Sequence, residues 1–164
     1  MPSIRLINLA IFVACVIVML TVYFYFQRAL GLAPCALCLT QRAFVIAVGI
    51  FALISFIVNP KTLGRRIFAG LCLVASIAGA YFAGHHLWLQ SLPPDRAPPC
   101  GPGLAYILEA YPLQKGLEVL LRGDGNCAET LWQMPILGLS IPGISLVGFI
   151  VLILLSLWQL LRRK

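Results

Sequence analysis

The sequence predicts an all-α membrane protein, a four-transmembrane-helix bundle with a short amphipathic surface helix in its second outer loop. Of its 164 residues, 61% are hydrophobic and only 10% are charged, and the mean hydropathy is +0.98. Soluble domains carry about 25% charged residues, so this composition indicates a membrane protein. Runs of about 20 apolar residues match a hydrocarbon layer of ~30 Å. We expect a single membrane domain over 1–164, with spans at about 8–26, 39–58, 67–89 and 142–161.

The first apolar run resembles a signal peptide, but it is longer than the 7–15 apolar residues of a typical one. Pro34, just before the lipoprotein-like cleavage position at Cys35, also disfavours processing. We therefore expect this run to remain as the first span. The turn at 59–66 is short, so the second and third spans are predicted to be antiparallel neighbours. The fourth span is expected to start at Pro142, since proline tolerates the first helical turn.

Basic residues are concentrated in alternate loops of the predicted membrane topology. The positive-inside rule places both termini and the loop at about 59–66 in the cytoplasm, and the loops at about 27–38 and 90–141 outside. All five acidic residues fall in the second outer loop, so the net charge of +7 does not describe a nucleic-acid surface, and we expect no nucleic-acid partner. Seven of the twelve basic residues lie in the predicted cytoplasmic segments: Arg5, Lys61, Arg65, Arg66, Arg162, Arg163 and Lys164.

The second outer loop begins with a stretch rich in proline and glycine, which excludes regular structure there. Farther on, Leu113, Leu117, Leu120 and Leu121 repeat at helical spacing, with polar residues between them. This pattern predicts a short helix lying on the membrane surface. A small helix packed on the outer end of the bundle fits the same pattern equally well.

The six cysteines divide by position. Cys15 and Cys72 lie inside apolar spans, where free cysteines usually behave as small hydrophobic residues. The other four fall in the outer loops or at the outer boundary, where disulfides persist in bacteria. These four are Cys35, Cys38, Cys100 and Cys127.

Cys35 and Cys38 form a C-x-x-C motif at the predicted start of the second span. Unpaired N–H groups at a helix N-terminus stabilise a thiolate, and the motif adds to that effect. Arg42 follows Cys38 by one helical turn, and helical side chains lean toward the N-terminus, so its guanidinium is expected to point back at the sulfur. The pattern predicts a persistent thiolate at Cys38.

Two other interpretations of the outer cysteines remain open at this point. The four thiolates could hold zinc, although structural zinc sites usually repeat C-x-x-C, whereas Cys100 and Cys127 are 27 residues apart. A disulfide between Cys100 and Cys127 could be a purely structural cross-link that stabilises the folded state by roughly 3–4 kcal/mol. That reading does not explain why a redox-type motif faces the same compartment. We expect a second redox-active pair and no metal.

His85 and His86 lie near the outer end of the third span, at about the depth expected for Cys38. Ionisable groups at membrane depth are candidates for function. For His85 we favour a structural role at the membrane interface, where its ring would be hydrated among the lipid headgroups. His86 lies one turn from Gln90 and from Phe82, and could place a polar group beside a flat apolar ligand.

These residues resemble a known family, the bacterial disulfide bond formation protein B (DsbB) family of quinone-dependent reoxidants of the periplasmic oxidase DsbA. The resemblance covers almost the whole chain. It departs in a short cytoplasmic loop, in the many prolines around Cys100, and in the extra Cys15 and Cys72. The matching segments are Pro34-Cys35-x-Leu37-Cys38 with Gln41-Arg42, His86-x-x-Leu89-Gln90, Cys100, and Gly125-Asn126-Cys127-Ala128-Glu129 followed by Trp132, Leu137-Gly138 and Ile141-Pro142.

The resemblance implies a role for each cysteine of the outer loops. Cys100 would accept the thiolate of a reduced DsbA-like partner, Cys127 would then attack at Cys35, and Cys38 would pass electrons to ubiquinone or menaquinone. Arg42 would lie beside the quinone with His86 contributing to that site. The implied location is the bacterial inner membrane, with both termini cytoplasmic, the cysteines periplasmic and the lipid bilayer supplying the quinone.

Alternatives to this function come from two classes. The first is a non-catalytic membrane scaffold with two structural disulfides or a zinc knot, which bound quinone or thiol-dependent quinone reduction would exclude. The second is an enzyme that carries electrons outward, or a relative of the vitamin K epoxide reductases.

Overall fold

A computed structural model describes residues 4–32, 34–93 and 140–162, together with the single positions Gln114 and Glu118. The described chain is helical, and its helices are joined by short connections where those are described. In chain order they are α1 (Ile4–Thr21), continued without a break by a π-helical segment (Val22–Ala29), α2 (Ala36–Val58), α3 (Thr62–Ser91) and α4 (Ile141–Leu161).

Four helical stretches among the described residues are long and apolar enough to cross a membrane, which confirms the predicted fold class. The first of them joins α1 to the π-helical segment and runs over Ile4–Ala29. Large apolar side chains cover the outer faces: Leu6, Val74 and Leu154 are 57%, 67% and 60% exposed. Such a surface is costly in water but is compatible with surrounding lipid tails.

The helices extend beyond the apolar runs that predicted them. The third span was expected at about 67–89, whereas α3 begins at Thr62 and ends at Ser91. Backbone hydrogen bonding continues through polar residues as easily as through apolar ones, so hydropathy delimits the membrane-embedded part of a helix rather than the helix itself. His86 lies inside both the predicted span and α3, five residues before the last residue of the helix.

Neighbouring helices in the sequence are also neighbours in space. Of the described helices, α1 packs against α2, α2 against α3, and α3 against α4, whereas α1 and α4 scarcely touch. The bundle is therefore open along one side. A cavity lies between these two helices and reaches the first turns of α2.

Polar contacts near the predicted cytoplasmic end tie α1 to α2. The amide of Asn8 donates a hydrogen bond of 2.9 Å to the hydroxyl of Ser55, and both side chains are buried. Arg5 donates to the carbonyl oxygen of Phe56 at 3.3 Å. α2 then ends at Asn59, whose left-handed backbone (φ 42°, ψ 56°) is a common helix termination.

Cys15 and Cys72 lie in the core, as expected for small hydrophobic residues. They belong to one buried cluster with Ile11, Val48 and Ala52, which joins α1, α2 and α3. The Sγ atom of Cys72 lies 3.8 Å from the carbonyl oxygen of Val48, a weak hydrogen bond at most. Cys15 also borders the cavity between α1 and α4.

The predicted surface helix lies mostly outside the described residues, and its leucine stripe is not among them. Gln114 and Glu118, two of the polar positions between those leucines, are helical and exposed. The membrane-surface helix stays a prediction.

The packing of α3 on α4 depends on Gly79. A Cβ atom at this position would overlap the ring of Phe149, which is only 1% exposed, and the ring cannot move without disturbing the helix pair. We expect Gly79→Ala to destabilise the protein by about 1–3 kcal/mol, the usual cost of overpacking. Gly84→Ala is the matched control, because a Cβ there meets no atom within 4 Å. Thermal unfolding in detergent should separate the two variants, and equal stability would contradict this packing.

Candidate redox site

The C-x-x-C motif occupies the start of α2. Cys35 is the N-cap residue, with an extended backbone (φ −73°, ψ 170°), and Cys38 is three residues later in the first turn. N-cap and N3 side chains face each other across a helix start, so this spacing brings the two sulfurs together. The structure describes both as thiols outside any disulfide, with their sulfurs 3.0 Å apart. Between them Leu37 is fully buried and packs against Leu89 of α3, which anchors the motif.

His86 brings an imidazole to this sulfur pair. Its Nε2 atom is 3.8 Å from Sγ of Cys35, and the side chain is only 3% exposed. The other ring nitrogen, Nδ1, lies 3.3 Å from the side-chain amide of Gln41, which is also buried. An amide offers both a donor and an acceptor, so Gln41 can pair with Nδ1 in either tautomer of the ring. This pairing fixes the ring with Nε2 toward the sulfurs.

Arg42 has a partner that the sequence did not indicate. Its Nη1 atom donates a hydrogen bond of 3.1 Å to the side-chain oxygen of Gln27, and the orientation of its guanidinium toward Cys38 stays a prediction. Gln27 belongs to the π-helical segment that continues α1. The wider turn of a π-helix changes the direction in which side chains project, and such segments are frequent at functional sites. The contact links the start of α2 to the outer end of the first helix.

His85 lies outside this group of residues. Its ring stacks between Tyr81 and Trp88 on the same helix, with ring centroids 6.5 Å and 5.6 Å away. Tyr81 is 69% exposed and Trp88 is 56% exposed, so the three rings form an aromatic strip on the outside of the bundle. Aromatic residues of this kind gather at membrane interfaces, in agreement with the interfacial role expected for His85.

The cavity between α1 and α4 has a volume of about 680 Å³. Most of its wall is aliphatic and comes from the facing sides of these two helices. Polar groups are concentrated at the end nearest the start of α2 and the end of α3. Those polar lining residues are Cys35, Cys38, Gln41, Arg42, His86 and Gln90, with Ser145 on α4.

Four of the six predicted site residues are brought together, namely Cys35, Cys38, Arg42 and His86, all of which line the cavity. The other two, Cys100 and Cys127, lie outside the described residues. Gln27 and Gln41 were given no role by the sequence argument. A polar side chain within an apolar span was the signal for Gln41, whereas Gln27 directly follows the first predicted span and gave none. The partners of both depend on how the helices are rotated.

The arrangement is suited to thiol chemistry. Two adjacent thiols lie at a helix N-terminus, which stabilises a thiolate, and a hydrogen-bonded imidazole lies beside them to give or take a proton. Sγ of Cys35, Sγ of Cys38 and Nε2 of His86 all lie within 4.8 Å of one another, so the same three atoms form a candidate set of metal ligands. Beside them is an apolar cavity large enough for a small organic molecule.

Comparisons with known proteins agree with this chemistry. A protein-family model described as "Disulfide bond formation protein DsbB" matches residues 4–159. The Disulfide bond formation protein B of Saccharophagus degradans is 47% identical over 163 residues, covering 99% of this chain and 96% of that protein. That of Nitrosococcus oceani is 45% identical over 144 residues, covering 88% and 84%. That of Marinobacter nauticus is 45% identical over 145 residues, covering 88% and 85%.

The family match spans nearly the whole chain, and the relatives align over most of their own length. Together with the four helices able to cross a membrane, this makes the chain a multi-pass membrane protein with a redox function. The chain belongs to the DsbB family of disulfide bond formation proteins.

Proposed function

We propose that this protein is a membrane thiol:quinone oxidoreductase that reoxidises a periplasmic DsbA-type dithiol oxidase and passes the electrons to ubiquinone or menaquinone. The observation that carries this proposal is the position of Cys35 and Cys38. Their adjacent thiols line the polar end of an otherwise apolar cavity between α1 and α4. A disulfide-forming enzyme needs an electron acceptor, and a cavity of this kind suits one that is stored in lipid.

The proposed electron path runs through both cysteine pairs. A thiolate of the reduced partner attacks Cys100 in the Cys100–Cys127 disulfide, and Cys127 leaves as a thiolate. Cys127 then attacks Sγ of Cys35 in the second disulfide, and Cys38 leaves as a thiolate. Resolution of each mixed disulfide by the remaining thiol returns an oxidised partner and leaves Cys35 and Cys38 reduced. Each exchange conserves electrons, because one S–S bond forms as another breaks.

The residues around the cavity fit a quinone. The ring of a quinone is flat and carries two carbonyl oxygens, and its isoprenoid tail is apolar. Arg42 supplies hydrogen-bond donors at the polar end, where Cys38 and His86 also lie, and the aliphatic walls between α1 and α4 suit the tail. A bound quinone would accept two electrons and two protons from Cys35 and Cys38, which restores their disulfide.

Thermodynamics explains why the acceptor has to be a quinone or a similarly strong oxidant. A DsbA-type oxidase is itself strongly oxidising, at about −120 mV, so few thiol acceptors can take its electrons downhill. Quinone is stored in the bilayer, which accounts for a membrane-embedded enzyme. We place the protein in the bacterial inner membrane with both termini in the cytoplasm, as the basic residues favour.

Topology is tested by cysteine labelling. Leu63, in the first turn of α3, is 73% exposed, and Leu30, after the π-helical segment, is 42% exposed. In a background without native cysteines, an impermeant maleimide added to intact spheroplasts should label Leu30→Cys and not Leu63→Cys. Permeabilised cells should label both. Protection of Leu30→Cys with labelling of Leu63→Cys would invert the proposed topology.

The function is tested with purified protein in lipid nanodiscs. Reduced DsbA-type partner and ubiquinone or menaquinone are added under anaerobic conditions, and the loss of quinone absorbance is compared with the loss of partner thiols. We expect one quinone reduced for each partner dithiol oxidised. Thiol oxidation without quinone reduction, or no reaction with either quinone, would reject the proposal.

Arg42 should matter more to the quinone than to the protein partner, since it lines the cavity. Hydrogen bonds to charged groups contribute about 1.5–3 kcal/mol, so Arg42→Gln should raise the quinone KM by about tenfold or more. Arg42→Lys should raise it less, because lysine keeps the charge and loses the planar fork. Gln27→Leu should also raise it, because the guanidinium loses the group that positions it.

The control for these variants is Arg66→Gln, an exposed arginine at the opposite end of the bundle. Kinetics with varied quinone at saturating partner, and the reverse, separate the two KM values. An unchanged quinone KM in Arg42→Gln would remove Arg42 from the quinone site.

A further inference from the structure

Three soft donor atoms converge at the start of α2. Sγ of Cys35 lies 3.0 Å from Sγ of Cys38 and 3.8 Å from Nε2 of His86, and all three atoms lie within 4.8 Å of one another. The two cysteines belong to the C-x-x-C motif at the start of α2, whereas His86 belongs to α3. The packing of α3 on α2 therefore supplies the third donor. This set differs from a four-cysteine cluster, since it needs neither Cys100 nor Cys127.

These distances are close to those of a tetrahedral zinc site. With Zn–S bonds of about 2.3 Å and Zn–N bonds of about 2.0–2.1 Å, tetrahedral ligands are separated by about 3.7 Å (S to S) and about 3.5 Å (S to N). The sulfurs of Cys35 and Cys38, now 3.0 Å apart, would have to separate by about 0.7 Å, which rotation of the two side chains can supply. The imidazole of His86 is already at the required range from Cys35.

The far side of the imidazole is also arranged as in metal sites. Histidines that bind metal almost always pair their other ring nitrogen with a nearby oxygen, which fixes the tautomer. In this protein Nδ1 of His86 lies 3.3 Å from the amide of Gln41. A half-turn of that amide presents its oxygen to an Nδ1–H group and leaves the lone pair of Nε2 free for a metal.

Charge and coordination number favour zinc over other ions. Two thiolates and a neutral imidazole around a divalent ion make a complex with no net charge, which lowers the cost of placing it beside an apolar cavity. Sulfur and imidazole ligands select zinc over magnesium or calcium, which require oxygen. All three residues line the cavity, so the fourth position faces open space that a water molecule can enter.

We propose that reduced Cys35 and Cys38, with His86, form a redox-gated site for Zn²⁺ that holds the cysteine pair reduced and stops turnover. On binding, the two thiols release two protons and form two Zn–S bonds, and no electron is transferred. The disulfide form has no thiolates and leaves His86 alone, so it does not bind the ion. Zinc is therefore an inhibitor that acts only on the reduced state, between arrival of electrons and their transfer to the acceptor.

The test measures metal binding directly and needs neither quinone nor a protein partner, so it stands apart from the proposed function. Full-length protein is reduced, freed of reductant under anaerobic conditions, and titrated with Zn²⁺ against a chromogenic chelator. We expect one Zn²⁺ per chain in the Cys100→Ser/Cys127→Ser double variant when it is reduced and none after its remaining pair is oxidised. Co²⁺, used as a spectroscopic probe, should show thiolate-to-metal charge transfer.

Matched variants identify the ligands within that double-variant background. Cys35→Ser or Cys38→Ser should abolish stoichiometric binding. Gln41→Leu should weaken it by about tenfold, the usual cost of losing a partner of a metal-bound histidine, and His86→Ala by at least as much. His85→Ala is the control, because the same substitution one residue earlier changes only the exterior aromatic strip.

Three outcomes would overturn this proposal. Loss of zinc binding in the Cys100→Ser/Cys127→Ser variant would show a site that includes the second cysteine pair. Equal Zn²⁺ affinities of His86→Ala and His85→Ala would exclude the imidazole of His86 as a zinc ligand. Equal binding by the oxidised and reduced forms would place the metal elsewhere, for instance at Cys15 and Cys72. Circular dichroism and size-exclusion chromatography of each variant show whether it is folded, so that loss of binding is not confused with unfolding.

Discussion

Replacing Cys38 by serine should reduce thiol-dependent quinone reduction to the uncatalysed background. A serine hydroxyl stays protonated where a cysteine at a helix N-terminus forms a thiolate, and it cannot form a disulfide with Cys35. The substitution is nearly isosteric, so the start of α2 should keep its packing around Leu37. Anaerobic loss of quinone absorbance with reduced partner present measures the effect.

The control for Cys38→Ser is Cys72→Ala. Cys72 is buried in the core cluster, away from the cavity, and its weak contact with the Val48 carbonyl is a small loss. Turnover of Cys72→Ala should stay within a few-fold of the unmodified protein. Residual quinone reduction by Cys38→Ser above background would mean that another thiol donates the electrons, and Cys35, the only other cysteine of the motif, would then be examined first.

The number and type of the spanning helices could be predicted from the sequence, because a lipid environment allows few solutions. Every backbone polar group within lipid has to be satisfied internally, so an apolar run of about 20 residues becomes a helix whatever its detailed sequence. The π-helical segment at Val22–Ala29 could not be predicted. It replaces one hydrogen-bonding register by another, and the apolar residues around it are compatible with both.

That the two site segments lie at the same end of the bundle could also be predicted, since it follows from counting residues along each span. Cys38 lies in the first turn of α2 and His86 in the last two turns of α3, and antiparallel helices bring these ends together. The contacts themselves depend on the rotation of each helix about its axis. The spacing of Cys38 and Arg42 put both on one face of the second helix, but it did not indicate that Arg42 pairs with Gln27 or that Gln41 lies against His86.

The cavity was beyond prediction for a related reason. It exists because α1 and α4, the first and last described helices, leave a gap that the side chains of the described residues do not fill. The residues of these two helices are far apart in the sequence. An empty space between helices produces no sequence pattern by which it could be predicted. The sequence pointed to the residues at its polar end only because these are chemically distinct from the aliphatic residues around them.

Replacing Cys127 by serine should trap the protein on its partner. Cys100 is flanked by Pro98, Pro99 and Pro102, a residue type that disfavours a helix, so its sulfur is expected to be accessible to a docking protein. The partner should therefore bond to Cys100. With Cys127 removed, Cys100 is a free thiol, and a partner lacking its own resolving cysteine can be supplied as an activated mixed disulfide.

In the intact protein, Cys127 is the thiol that leaves when the partner attacks Cys100 and that carries the electrons onward to Cys35. It follows a sequence with two glycines at 123–126 and precedes Trp132, a residue type common at membrane interfaces, so we expect it to reach the outer end of α2 more readily than Cys100 does. Cys127→Ser blocks that transfer and leaves the partner on Cys100. We expect a stable mixed disulfide, mapped to Cys100 by mass spectrometry, and a Cys35–Cys38 pair that stays oxidised. In a parallel sample the partner is supplied as a free thiol, which can attack a disulfide. A mixed disulfide mapped to Cys35 or Cys38 in that sample would show that the partner opens the Cys35–Cys38 disulfide directly, and the proposed order of transfer would be wrong.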